Sequence, residues 1–341
     1  MNHTSLMEKE ALASAELVRK QSVANAFALV RLAEEIREKS PSLVVTCARG
    51  SSDHAALFGK YLIEADLGLP VMSAAPSVVS VYEQRQKLDD ALLLSISQSG
   101  QSPDLVSFTR MAREAGALTV SFVNASNSPL AEAANRNVPL MAGVEQSVAA
   151  TKSYICTLSA IVQFVEALSP HRNSVSVSDE LPNVLRQAAK VDCTSLVHFL
   201  SAKTNCFIVG RGFGFAIAQE AALKLKETSG IHAEAISAAE VQHGPMALIA
   251  QGTPVVFLIH GDRTADAQIA LAQRFRAEGG KVFVLAPPQW PSDLVIGEGS
   301  SHVATAIGII QTLYLMIAQL AVARGLDPDC PPMLSKVTET N

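Results

Sequence analysis

The chain has 341 residues, of which 48% are hydrophobic, 17% charged and only 5% aromatic, with a formal net charge of −5. That length exceeds one ordinary core and predicts two domains of about 150 residues or one large α/β unit. A net-acidic chain poor in aromatics lacks the basic footprint and stacking surfaces of a nucleic-acid binder. Five scattered cysteines (Cys47, Cys156, Cys193, Cys206, Cys330) include no Cys-x-x-Cys pair. This predicts neither a disulfide framework nor a metal site, no cofactor, and reduced thiols in a cytoplasmic protein.

The amino terminus mixes charges of both signs and has no apolar signal-peptide core. Residues 5–39 read as helix, stopped at Pro41-Ser42. Leu43–Cys47 is a short apolar strand, closed by the loop Arg49-Gly50-Ser51-Ser52 and followed by a helical pattern from Asp53 to Asp66. The same unit recurs at Ala91–Ile96, with the loop Ser97-Gln98-Ser99-Gly100-Gln101-Ser102 and a helix opening on Pro103-Asp104. Leu118–Val123 reads as a third strand at a spacing suited to parallel βαβ connections, Val138–Met141 as a fourth, and Glu145–Leu168 as a loop running into an apolar helix.

Residues 169–182 are polar, without hydrophobic period, and read as a linker before a helix over Asn183–Leu200. A second set follows: strand Cys206–Val209, the loop Gly210-Arg211-Gly212-Phe213-Gly214, a helix to Ser229, strand Pro254–Ile259, the loop His260–Thr264 and strand Lys281–Leu285. Val303–Val322 is apolar enough to cross a bilayer. It carries Gln311 and Gln319 and has no flanking basic cluster, so it reads as a core helix, and no membrane partner is expected.

The two sets share one register. Gly212 aligns with Gly50 at an offset of 162, and the same offset lays Ala91–Asp104 on Thr253–Asp266 and Leu118–Val123 on Gly280–Leu285. The chain thus reads as two copies of one α/β unit, each a mostly parallel, doubly wound sheet flanked by helices. Such sheets bind ligands at the carboxyl ends of their strands.

The copies differ in chemistry. In the first, Ser51, Ser52, Ser97, Gln98, Ser99 and Ser102 fill two strand-end loops, and Ser102-Pro103 places a serine before a helix start, a setting suited to a phosphate group. In the second, the equivalent loop His260-Gly261-Asp262-Arg263 has lost its serines and gained a carboxylate, and should not hold phosphate. That copy instead carries Lys224 and Glu227, three apart on one helix face, followed by His232, Glu234, Glu240 and His243 before the Gly244-Pro245 turn. A Lys/Glu pair on a helix is ordinarily solvated. A phosphate grip without a P-loop lysine argues against phosphoryl transfer and for proton movement on a small phosphorylated substrate, with Glu227 and His243 as the carriers.

These residues resemble the SIS (sugar isomerase) family, and within it the isomerase half of glucosamine-6-phosphate synthase. The resemblance rests on Met7-Glu8-Lys9-Glu10, Ser97-Gln98-Ser99-Gly100, Ala149-Ala150-Thr151-Lys152, Ala221–Glu227, His232–Ala235, His243-Gly244-Pro245 and Leu334-Ser335-Lys336. It implies tandem SIS domains, 35–170 and 196–326, with a helical segment over 1–34, a linker and helix over 171–195, and a closing tail over 327–341. It implies sugar-phosphate contacts at Ser51, Ser52, Ser97, Gln98, Ser99, Ser102, Val148 and Ala150. Glu227 matches the base that shuttles the C1/C2 proton, with Lys224 beside it stabilising charge on the substrate oxygen. His243 matches a ring-opening histidine that reaches in from a neighbouring subunit, so a homodimer with shared sites is implied, and Lys336 matches a tail lysine able to form a Schiff base.

Two departures bear on the reaction. Met1 leads almost directly into the SIS region, where the synthase carries a glutaminase domain, and Ala150 stands where its pattern has Ser. The expectation is a deaminase/isomerase that turns glucosamine 6-phosphate into fructose 6-phosphate and ammonia. Its alternatives are a deaminase or deglycase for galactosamine 6-phosphate or fructosamine 6-phosphates, and a non-catalytic sugar-phosphate sensor.

Overall fold

A computed structural model describes residues 4–169 and 176–336. In chain order the elements are α1 (Leu6–Lys39), β1 (Leu43–Cys47), α2 (Ser51–Leu67), β2 (Val71–Ser73), α3 (Ser77–Ser80), β3 (Ala91–Ser97), α4 (Pro103–Glu114), β4 (Leu118–Val123), α5 (Pro129–Ala133), β5 (Arg136–Pro139) and α6 (Lys152–Leu168). They continue with α7 (Val177–Ala188), α8 (Thr194–Ser201), β6 (Asn205–Gly210), α9 (Phe213–Ser229), β7 (His232–Ser237), α10 (Met246–Ala250), β8 (Val255–Leu258), α11 (Ala265–Ala277), β9 (Val282–Ala286), β10 (Leu294–Val295) and α12 (His302–Ala323). Among the described residues, one compact unit takes 16–144, 153–169, 176–179 and 335–336, and the other takes 4–15, 145–152 and 180–334.

Each unit holds one five-stranded sheet, and every strand pair in it is parallel. The orders β2-β1-β3-β4-β5 and β10-β9-β8-β6-β7 are the same winding, since β6 to β10 repeat β1 to β5. This is the doubly wound, flavodoxin-like arrangement, with the switch in direction between its first and third strands. Strands buried on both faces read as unbroken apolar runs; in β3 all seven residues are buried.

The duplication extends to backbone detail. Gly50 and Gly212, ahead of α2 and α9, share φ of 55° and 56° with ψ of −133° and −127°. Gly68 and Gly230 both end their helices in the left-handed conformation, where a side chain would be strained. The 162-residue register holds for the first three strands: Val45 pairs with Leu93 as Phe207 pairs with Val255. It slips by one at the next strand, where Leu93 faces Thr119 but Val255 faces Val282. The cause is local. α11 has 13 residues where α4 has 12, so Leu118–Val123 corresponds to Lys281–Ala286 and not to Gly280–Leu285.

Other boundaries also move. α2 begins at Ser51, so both serines belong to its first turn and not to the preceding loop. β5 begins at Arg136, before the expected Val138. Part of the expected linker, 170–175, lies outside the described residues, and the part from Val177 is helix that runs through Pro182. The helix expected over Asn183–Leu200 is two helices, α7 and α8. α12, long and apolar enough to cross a membrane, is mostly buried as the core helix of its unit, against α9 and α8. Burial pushes the Cys193 and Cys206 thiols up to about 12 and the Cys47 thiol higher still, which leaves them poor nucleophiles.

The two copies predict opposite responses to one methyl group. A Cβ on Gly210 would stand 2.1 Å from the Gly214 carbonyl oxygen, whereas the equivalent position in the first copy is the buried Ala48. Gly210→Ala should cost about 1–3 kcal/mol of stability and Ala48→Gly less than about 1 kcal/mol, as read by urea unfolding; equal costs would show that the two strand ends are built alike.

Candidate active site

In the first unit, β1 and β3 are hydrogen-bonded neighbours, so the loops that leave their carboxyl ends lie side by side at the switch point of the sheet. Ser51 and Ser52 occupy the first turn of α2, next to Gly50, which makes no side-chain cap. Ser97 accepts the Gly100 amide at 3.0 Å and Ser99 the Gln101 amide at 3.3 Å. Gly100 has a φ of 65°, and a Cβ there would meet the Ser128 hydroxyl at 2.2 Å, so the turn requires glycine. Ser102 occupies the N-cap position of α4 with Pro103 behind it, yet its hydroxyl makes no cap bond. Gln98 is half-buried in the same loop. The two loops are tied together: Arg49 donates from Nε (3.0 Å) and Nη2 (2.8 Å) to the fully buried Asp104. The acidic charge at the start of α4 is thereby neutralised from within.

The second unit fills the corresponding place with its own carboxylate. Asp262 accepts from the Thr264 amide (2.9 Å) and hydroxyl (2.6 Å) at the N-cap of α11 and lies 3.3 Å from His260 Nε2. Burial works against its charge, but His260 and Thr264 outweigh burial and hold the Asp262 carboxyl well below the usual range. This helix start thus already carries a carboxylate of its own.

The second unit concentrates its charge on α9 instead. Lys224, 1% exposed, donates to Glu227 Oε2 at 2.5 Å and sits 3.6 Å from Glu220 Oε1. Glu220 is fully buried and accepts from the Tyr314 hydroxyl at 3.0 Å. Burial works against the charge on Lys224. The carboxylates Glu220, Glu227 and Glu145 outweigh it and hold the ammonium above its ordinary pKa. Lys224 is therefore a permanent cation at neutral pH. Glu227 is the member of the pair that reaches the surface, its side chain 20% exposed.

The segment 145–152 belongs to this same unit. Glu145 accepts the Thr151 amide (2.8 Å). Glu10, from the start of α1, accepts the Gln146 (2.7 Å) and Ser147 (3.1 Å) amides and pairs with Lys152 (3.2 Å). The Asp329 carbonyl accepts the Val148 amide (3.2 Å), while its carboxylate caps α1 at Leu6 and Met7 (2.8 Å each). Val148 and Ala150 are thus half-buried residues on an irregular segment pinned from both ends of the chain.

The other ionisable residues singled out after Glu227, and Lys336, lie outside α9. His232 and Glu234 are exposed on the edge strand β7, Glu240 is exposed beyond it, and His243 is exposed on a 3-10 turn before Gly244, whose φ is 141°. Among the described residues no hydrogen bond or ion pair joins His243 to Glu227. Lys336 is half-buried at the end of the described chain. No metal-binding cluster of His, Cys, Asp and Glu occurs among the described residues. Sequence reasoning missed Glu10, Glu145, Glu220 and Tyr314. Glu220, four residues ahead of Lys224, carried a readable signal as a helix i,i+4 pair; the others did not.

Removing the cation would leave buried carboxylates uncompensated. Lys224→Met should cost about 3–5 kcal/mol of stability in urea unfolding at pH 7, and a cost below about 1 kcal/mol would mean that the pair behaves as a solvated one.

Comparison with known proteins agrees with this architecture. The sequence pattern of the SIS domain matches residues 36–167 and 198–321. The isomerizing glutamine–fructose-6-phosphate aminotransferase of Brucella abortus is 30% identical over 359 residues, covering 98% of this chain and 59% of the relative. The chain thus spans about three-fifths of that relative's length. A crystal structure from Silicibacter pomeroyi, assigned as a phosphosugar isomerase, superposes with a TM-score of 0.90 at 36% identity, covering 96% of this chain and all of that one. The C-terminal domain of glucosamine-fructose-6-phosphate aminotransferase from Francisella tularensis gives 0.86 at 26% identity, covering 97% and 99%. The chain belongs to the SIS family of phosphosugar isomerases, as a tandem pair of its domains.

Proposed function

We propose that the chain is an amino-sugar phosphate deaminase/isomerase that converts glucosamine 6-phosphate to fructose 6-phosphate and ammonia. The observation that carries this reading is the sealed Lys224 ammonium behind the partly exposed Glu227 carboxylate. Such a carboxylate is held in one orientation with one edge accessible, as a proton carrier between adjacent carbons needs. The first turn of α2 at Ser51 and Ser52, with the loop residues Ser97, Gln98, Ser99 and Ser102, takes the phosphate.

In this reading His243 of a neighbouring subunit passes the C1 hydroxyl proton to the ring oxygen, and the C1–O5 bond breaks to give the open aldehyde. Glu227 removes the C2 proton while O1 takes up a proton from solvent, and an enolamine forms. Return of the C2 proton to C1 leaves a C2 iminium, which loses one N–H proton to solvent to give the ketimine; water adds to it, ammonia departs, and the ketose remains. The buried, paired Lys224 acts by orienting Glu227, in place of the expected contact with the substrate oxygen. A homodimer with shared sites follows from the role given to His243, whose exposure on a surface turn is compatible with it.

A coupled assay of ammonia release from glucosamine 6-phosphate, galactosamine 6-phosphate and fructosamine 6-phosphates tests this directly, with glucosamine 6-phosphate expected to turn over. Tight hexose-phosphate binding with turnover of none would replace the enzyme by a sensor; turnover of only another sugar would reassign the substrate. His243→Ala and Glu227→Gln proteins, each inactive, should regain up to about a quarter of wild-type activity when mixed and allowed to exchange subunits. No recovery despite exchange would place both residues in one subunit's site.

A further inference from the structure

α1 carries a large aromatic side chain where its own fold gives it nothing to do. Leu29, Leu32 and Ile36 of this helix are buried. Phe27 is nine residues from Ile36, which at 3.6 residues per turn is the opposite side of the helix. It is 76% exposed, with Val23 at 73% and Val30 also exposed on the same outer face. An apolar ridge of this kind marks a contact surface. The polar residues that continue the ridge are Lys20 at one end and Glu34 at the other, both exposed.

We propose that the outer face of α1, centred on Phe27, is an isologous contact with a second copy of this chain, in which two α1 helices cross antiparallel about a two-fold axis through Phe27. The charges select this occupant. A two-fold contact must be self-complementary, and an antiparallel pair about Phe27 sets each residue opposite its mirror position. Lys20, seven residues before Phe27, then faces Glu34, seven residues after it. Val30 faces Ala24, and the Arg31 stem lies along Val23. A parallel pairing would oppose Lys20 with Lys20 and Glu34 with Glu34. In the single chain Lys20 has only a loose, exposed contact with Glu16 at 3.6 Å, a pair worth little and readily exchanged.

Glu16 and Glu38, eleven residues from Phe27, would approach their like-charged counterparts only where helices crossing at about 20° have separated. One helix pair covers less than the roughly 800 Å² per partner of a standard interface, so this ridge is the centre of a broader contact. A groove of about 520 Å³ borders it, lined by Val23, Ala26 and Val30 with Gln163 and Glu166. The contact does not depend on which sugar is turned over.

Light scattering on the full chain should show a dimer that Phe27→Glu weakens at least tenfold, with helix content by circular dichroism unchanged. Lys20→Glu and Glu34→Lys should each weaken it, and the double exchange should restore it. In a Cys330→Ser background, Phe27→Cys should oxidise to a disulfide-linked dimer, while Glu38→Cys should not. A monomeric wild type, a dimer indifferent to Phe27→Glu, or an absence of cross-link from Phe27→Cys would overturn the proposal.

Discussion

One buried cation organises the unit that carries α9. Lys224 has almost no contact with water, and a lysine in that position survives as an ammonium only because Glu220, Glu227 and Glu145 surround it. Two of the carboxylates come from α9 itself and the third from another part of the same unit's framework. Glu220 and Glu227 flank Lys224 along α9, Glu220 is held by Tyr314 from α12, and Glu145 belongs to the segment anchored by Glu10 and Asp329. The ammonium therefore couples the core helix, the amino-terminal helix and the irregular segment carrying Val148 and Ala150. Its chemical consequence is restraint: a carboxylate bonded to a fixed donor has one orientation, and Glu227 meets the surface in that orientation.

The duplication shows how one scaffold can present different chemistry at its two switch points. Both sheets wind alike, and both first helices start on a glycine with nearly the same φ and ψ. What changed is which group occupies the switch point. In the first copy Asp104 is turned inward onto Arg49, leaving the hydroxyls as the outward chemistry. In the second, Asp262 covers the helix start, while Asp266, the counterpart of Asp104, is exposed and accepts from Trp290. Two small electrostatic differences thus separate the copies: in the first the carboxylate of the α4 start is paired inward with Arg49, and in the second Asp262 lies over the α11 start.

Much of the fold was legible because parallel, doubly buried strands are unbroken apolar runs, and β1, β3 and β4 read that way. The strands that escaped notice, β2, β7 and β10, are all at sheet edges, and two of them are very short. β7 also alternates exposed His232 and Glu234 with small alanines, which hides its period. The one-residue slip at β9 was invisible because an extra residue in α11 leaves composition unchanged. Site residues followed the same division. Lys224 and Glu227 declared themselves by helical spacing, whereas Glu10 and Glu145 act across sequence distances that no local pattern encodes. His232 and Glu234, close to Lys224 and Glu227 in sequence, lie exposed on the next element, β7.

In the proposed reaction Glu227, oriented by a sealed ammonium, moves a proton between adjacent carbons of a phosphorylated sugar. Proton NMR in deuterium oxide, following the C2 hydrogen of glucosamine 6-phosphate, tests it most directly. Enzyme-dependent loss of that signal is expected with the wild-type chain and none with Glu227→Gln, which should still bind the sugar phosphate with near wild-type affinity. Exchange that persists in Glu227→Gln would contradict it.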